Sequence, residues 1–231
     1  LTQDQNTELQ AMCGKKPPSN RMQGGKEFQM SDWPWPVYLG QERDPSSPTS
    51  SIHAMCTGGL ISRRHVITAR HCFTREEIAK ERPTIVMYGG TKWNSAPESF
   101  KKVAIRKKIY PSMSENSHDV AIGELEHDIE GHNMGIICLP KVEDYTKEDF
   151  EKKAYFFGGG KGDDTQASGD IIKMMTYELN DEDAYEAPLY DQLFIMTYRP
   201  GREQQGLVEG GDSGGPLLRK RLSDDRYVLY G

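Results

Sequence analysis

Hydrophobic positions along this chain come in short runs, each closed by Gly, Pro, Asn or Ser. "WPWPVYLG", "TGGLISRRHVITARHCF", "TIVMYGG", "FKKVAIRKKIYP", "DVAIGELEHDI" and "AYFFGGG" are rich in β-branched and aromatic residues, and none keeps a helical period beyond a few turns. Short strands with turn residues between them predict an all-β protein, a barrel or a sandwich. Two polar stretches interrupt the pattern. Residues 1–32 carry Gly and Pro signals in "CGKKPPSNRMQGGKEF" and read as an exposed leader. The acidic "ELNDEDAYEAP", Glu178 to Pro188, has no apolar face and reads as a solvated loop. "TKEDFEKKAYF" has the spacing for one short helix.

Composition narrows the class without naming it. A length of 231 residues allows one large all-β domain or two small ones. A net charge of −6 argues against a nucleic-acid partner, which calls for a basic face. "KKVAIRKK", Lys101 to Lys108, holds five basic residues in eight positions and reads as a strand with one charged, solvated face. "GGGKGDD" has the glycines of a phosphate loop but lacks the Gly-Lys-Ser/Thr ending. No apolar run approaches the ~18–20 residues of a membrane span, and "LTQDQNTELQ" has neither part of a signal peptide. The first residue is Leu rather than Met, so a start after processing or cropping is expected.

Cys13, Cys56, Cys72 and Cys138 are the four cysteines, with no C-x-x-C spacing for zinc. An even count in a loop-rich chain predicts two disulfides and an oxidising compartment, with three pairings open. Neither a metal nor a cofactor is expected.

The chemistry gathers in "VEGGDSGGPLL", Val208 to Leu218. Glycines on both sides of Ser213 fit exposed N–H groups and open space around its oxygen, as an acyl-transfer nucleophile requires. Alone they equally read as a polar turn between strands, so the reading depends on a base and a carboxylate elsewhere in the chain. Of the six histidines, His71 follows the apolar "VITAR" and directly precedes Cys72. Asp119 opens the apolar run of "SHDVAIGEL", where its carboxylate is expected to be buried against an imidazole.

Together these segments resemble the chymotrypsin-like (trypsin-like) serine proteases. "ITARHC" is similar to the family's Thr-Ala-Ala-His-Cys, "HDVAIGEL" to its Asp-Ile-Ala-Leu-Leu, "GDSGGPL" to its nucleophile loop and "CLP" to its interdomain Cys-Leu-Pro. "RMQGGKEFQMSDWPWPVYL" resembles the activation site and first strand. The likeness runs from about Cys13 to Gly231, in the order His, Asp, Ser.

The resemblance implies two antiparallel six-stranded β-barrels with the active site in the cleft between them. It divides the chain into an activation leader, 1–21, and a peptidase domain, 22–231, with barrels at about 22–130 and 131–231. It makes His71 the general base, Asp119 the carboxylate that orients it, Ser213 the nucleophile, and the N–H groups of Gly211 and Ser213 the oxyanion hole. It pairs Cys56 with Cys72, and Cys13 with Cys138. Cleavage between Arg21 and Met22 would free an ammonium to pair with Asp212. The implied protein is a secreted zymogen, with protein or peptide substrates, an activating protease and protein protease inhibitors as partners, and neither nucleic acid nor membrane. The alternative is a non-catalytic homologue that binds partners.

Departures from the family pattern carry expectations of their own. Arg70 replaces a small Ala before the base, where a guanidinium either pairs with a carboxylate or competes for Asp119. Ala154 and Arg219 replace both cysteines of a family disulfide, and Gly159 replaces a Trp. Leu207 lies at the base of the pocket for the residue before the scissile bond, which predicts an apolar or medium-sized preference. Glu209 stands where the family has a Cys and is the rival, a carboxylate able to serve a basic substrate. The family's C-terminal strand and helix are expected to be absent from a chain that stops at Gly231.

Overall fold

A computed structural model of the chain describes residues 2–15, 33–42, 52–74, 84–91, 100–111, 118–131, 134–141, 149–160, 172–178, 184–186, 193–195 and 210–231. Strands dominate them. β1 (Pro36–Glu42), β2 (Ile52–Ser62), β3 (His65–Thr68), β4 (Thr84–Tyr88), β5 (Lys101–Ile109) and β6 (Ala121–Leu125) close into one antiparallel barrel, in the order β1-β2-β3-β6-β5-β4. Alternation places the side chains. β6 turns Ala121, Gly123 and Leu125 inward, and β3 does the same with Val66 and Thr68. β5 buries Val103 and Ile105 and exposes Lys101, Lys102, Arg106 and Lys107, so the basic run is a solvated face. A bulge between Ile105 and Lys107 interrupts its period of two.

In the second half, β7 (Phe150–Gly158), β8 (Lys173–Glu178), β11 (Leu217–Arg221) and β12 (Tyr227–Leu229) form a four-stranded antiparallel sheet, in the order β12-β11-β7-β8. β9 (Ala184–Glu186) pairs with β10 (Leu193–Ile195). The fold is all-β, as its patterning predicted; among the described residues one barrel is closed and the second half is these two sheets. The halves share an aromatic seam in which Trp33 lies 4.9–5.1 Å from the rings of Tyr155, Phe157 and Tyr227. Backbone bonds from the Leu60 N–H to Trp35 and from the Ile137 N–H to Leu60, 2.9 and 2.7 Å, tie the residues before β1 and those around Ile137 to β2.

Three local expectations give way. Phe150–Phe156 of the expected helix lie in β7, because pairing with both β8 and β11 satisfies more backbone than one isolated helical turn. Ala184–Glu186 of the expected acidic loop form β9, whose partner lies outside that segment. The polar leader contains helix α1 (Gln3–Met12), although it has no broad apolar stripe. Good helix formers make up its second half, Glu8–Met12, and anchors hold its C-terminal end: Cys13 is bonded to Cys138, and the Arg226 guanidinium donates to the carbonyls of Gln10 and Cys13.

Candidate active site

β3 ends at Thr68, and helix α2 (His71–Thr74) follows at once, started by bonds from the Cys72 and Phe73 N–H groups to the Ala69 and Arg70 carbonyls. The Cys56–Cys72 disulfide ties this turn to β2, so His71 sits on a pinned corner. Asp119, two residues before β6, reaches it twice. Asp119 Oδ2 lies 2.6 Å from His71 Nδ1, and Oδ1 accepts the His71 backbone N–H at 2.8 Å. A carboxylate oxygen accepts, so Nδ1 carries a proton, and in the neutral imidazole Nε2 then holds the lone pair.

Asp119 is not buried, contrary to the expectation from its apolar neighbours. Its side chain is 41% exposed, against 24% for His71. A cavity of about 300 Å³, lined by Thr68, Asp119, Pro216 and Tyr230 among others, opens beside the carboxyl. The imidazole and backbone contacts orient the carboxylate, and water reaches its remaining lone pairs.

Ser213 arrives from the other half, on the loop before β11. Its carbonyl accepts the Thr57 N–H at 2.9 Å and lies 3.7 Å from Cys72 Sγ, which sets it beside the residue following His71. His71 Nε2 is buried and has no hydrogen-bond partner, so the Ser213 hydroxyl and the imidazole are not bonded in this structure. Gly211 and Gly214 take φ of +107° and +78°, a left-handed conformation that would strain other residues. A Cβ on Gly214 would lie 2.1 Å from Thr68 Oγ1. Among the described residues neither the Gly211 nor the Ser213 N–H donates to a protein acceptor.

Asp212 is buried, and its Oδ1 accepts the Gly160 N–H at 2.7 Å. The glycines that resembled a phosphate loop thus hold the protein's own anion. A Cβ on Gly160 would come within 2.6 Å of that carboxyl. Tyr38 fills the space beside Gly159, where a Cβ would meet its ring at 2.3 Å. The Arg70 guanidinium lies over the Tyr110 ring at 5.1 Å. The Cys56 and Cys72 sulfurs lie within 4.8 Å of a His71 ring nitrogen, but their mutual bond leaves no thiolate for a metal. Arg21, Met22, Leu207 and Glu209 lie outside the described residues. Sequence reasoning passed over Thr57; its only signal was adjacency to Cys56, on the strand bridged to the histidine's neighbour.

A closed antiparallel barrel, a second sheet and a His–Asp pair beside a glycine-bracketed serine define the class. A family model described as Trypsin matches residues 22–228, and the chain belongs to this family of serine proteases. It is 29% identical over 213 residues to "Venom serine protease Bi-VSP" of Bombus ignitus, covering 86% of this chain and 57% of that one. It is 29% identical over 203 residues to "Venom protease" of Bombus pensylvanicus, covering 84% and 81%. Against "Atrial natriuretic peptide-converting enzyme" of Mus musculus it is 27% identical over 236 residues, 95% of this chain and 19% of that protein. The chain thus spans little more than half of the first relative and a fifth of the third. No helix among the described residues is long and apolar enough to cross a membrane.

Proposed function

We propose that the protein is a secreted serine endopeptidase, made as a zymogen, that cleaves peptide bonds through an acyl-enzyme. The observation that carries this reading is the double contact of Asp119 with His71, which leaves Nε2 without a hydrogen-bond partner and able to act as the base. Ser213 Oγ attacks the scissile carbonyl carbon as its proton passes to Nε2, and Asp119 stabilises the imidazolium. The oxyanion accepts from the Gly211 and Ser213 N–H groups, each of the kind whose loss costs ~10²–10³ in kcat. Collapse breaks the C–N bond, and His71 returns the proton to the departing amine. Water then attacks the ester by the same route and frees Ser213.

Residues 1–21 act as a leader, 22–130 as the first barrel and 131–231 as the second. Cleavage after Arg21, by an activating protease, frees Met22 to pair with Asp212, whose burial suits such a switch. The leader stays attached through Cys13–Cys138. Leu207 favours an apolar side chain before the scissile bond, and Glu209 is the competing determinant. Two disulfides suit secretion, and protein protease inhibitors suit the same cleft. A binding role without catalysis is the second reading, favoured by the missing Ser213–His71 hydrogen bond. Such bonds are often long before substrate arrives, so catalysis remains the better account.

A fluorophosphonate probe on the full-length protein after limited proteolysis separates the two. Labelling at Ser213 is expected, with a new Met-Gln-Gly-Gly N-terminus on the labelled species. A folded, cleaved protein that takes no label is a binding homologue, and full activity with the Arg21–Met22 bond uncut refutes the activation step.

A further inference from the structure

We infer that Thr57 is a positioning residue for the oxyanion hole: its hydroxyl locks the peptide that follows Gly211 and so aims the Gly211 N–H. The inference rests on the protease reading above. Thr57 follows Cys56 on β2, has no exposed surface, and directs its polar groups into the site loop or its support. Its N–H donates to the Ser213 carbonyl at 2.9 Å, and its carbonyl accepts the Thr68 hydroxyl at 2.8 Å.

The side chain does something these backbone bonds cannot. Thr57 Oγ1 lies 2.9 Å from the Gly211 carbonyl oxygen and 2.9 Å from the Gly159 nitrogen. A hydroxyl has one proton, and the Gly159 N–H is itself a donor, so the proton is committed to the Gly211 carbonyl. One buried oxygen therefore joins the Gly158–Gly160 turn to the nucleophile loop.

That carbonyl belongs to the planar Gly211–Asp212 peptide, and Gly160, next in the same turn, holds the Asp212 carboxylate. Thr57 thus holds one side of this peptide and Gly160 the other. Only the backbone torsions of Gly211 remain to re-aim its N–H, and glycine resists their rotation least of all residues. The hydroxyl fixes the peptide from which those torsions start, so its loss adds a second freedom to the one glycine already allows. Preorganised donors stabilise an oxyanion because they need no reorientation during reaction, so a loosened Gly211 affects the transition state more than ground-state binding.

The test uses the full-length activated protein with Thr57→Val, which keeps the shape and removes the hydroxyl, and Thr57→Ser, which keeps the hydroxyl. Thr57→Val should lower kcat about tenfold to a hundredfold while KM stays within about threefold. Affinity for a peptidyl boronate, which occupies the oxyanion position, should weaken in parallel, and affinity for a product peptide should hold. Thr57→Ser should recover most of the loss. Wild-type kcat and boronate affinity in Thr57→Val, or a Thr57→Ser as impaired as Thr57→Val, would overturn the inference.

If the wild-type protein takes no label and cleaves nothing, the protease reading fails instead. Crystal structures of the wild type and Thr57→Val then judge Thr57 alone. A turned Gly211 carbonyl, with faster amide exchange at Gly159, sustains its positioning role; an unmoved carbonyl rejects it.

Discussion

The barrel of β1–β6 and the sheet of β7, β8, β11 and β12 meet at one site but are held together by different means. The barrel closes on itself, so it has no strand edge to protect, and Val37, Leu39, Leu60, Val66, Met87 and Leu125 fill it with almost no exposed surface. The sheet buries two cations on β11 instead. Arg219 stands opposite Ala154 on β7, lies over the rings of Phe150 and Tyr230 at 5.1 and 4.8 Å, and donates to the Glu151 carbonyl. Arg221 forms a fork with Asp224. Where the family has a disulfide whose cysteines this chain replaces by Ala154 and Arg219, a guanidinium packed on aromatic rings joins the same two strands. Among the described residues the barrel is filled by apolar side chains and pinned by Cys56–Cys72, whereas the four-stranded sheet adds buried guanidinium groups to its apolar contacts.

The largest break in this contrast comes from the staples. Replacing Cys13 and Cys138 by Ser opens a loop of 125 residues, for a loss of about 5 kcal/mol in chain-entropy terms, against roughly 3 for the 16 residues between Cys56 and Cys72. Urea midpoints of the two double variants test this, and a costlier short bridge would reverse the ranking. Next comes Gly214→Ala at the junction itself. A Cβ there meets Thr68 Oγ1 at 2.1 Å and the Thr57 carbonyl at 2.6 Å, in a left-handed backbone, so about 3 kcal/mol should be lost. A midpoint equal to wild type would mean that the two halves are not tightly packed at that glycine.

Arg219→Met keeps the length of the side chain but loses the cation and the bonds to Glu151. It should cost about 1–3 kcal/mol, and a variant more stable than wild type would make the buried guanidinium a burden rather than a staple. The smallest effect belongs to the barrel. Burial holds the His65 imidazole below its ordinary 6.5, with Glu124 opposing and Arg64 assisting. The unfolded chain therefore binds more protons just below pH 6.5, and stability falls as pH drops from there through the folded-state value. His65→Asn should flatten the melting temperature over that window; an unchanged slope would assign the dependence to other groups.

Much of the site was legible because its parts are local. "GDSGGPL", "ITARHC" and "HDVAIGEL" are a few residues each, and their glycines, small residues and acid do the same backbone work wherever they occur. The strands of the barrel were legible for the same reason, since alternation, as in β5 and β6, and bounding turn residues act over a few positions. The leader helix escaped notice because Arg226 and Cys138, more than a hundred residues away, hold its C-terminal end. β9 escaped because a strand of three residues depends on its partner rather than on its own propensity.

By itself the sequence determined the strand pattern, the all-β class and the identities of His71, Asp119 and Ser213 as chemically apt groups. Only the tertiary structure decided that Asp119 grips the imidazole while staying open to water, that Arg219 lies between rings opposite Ala154, and that Thr57 meets a carbonyl 154 residues away. The physical reason is the range of the forces involved. Backbone preference and periodicity act between neighbours in the chain, but a buried hydroxyl finds its acceptor only after the barrel has closed and the second half has docked against it.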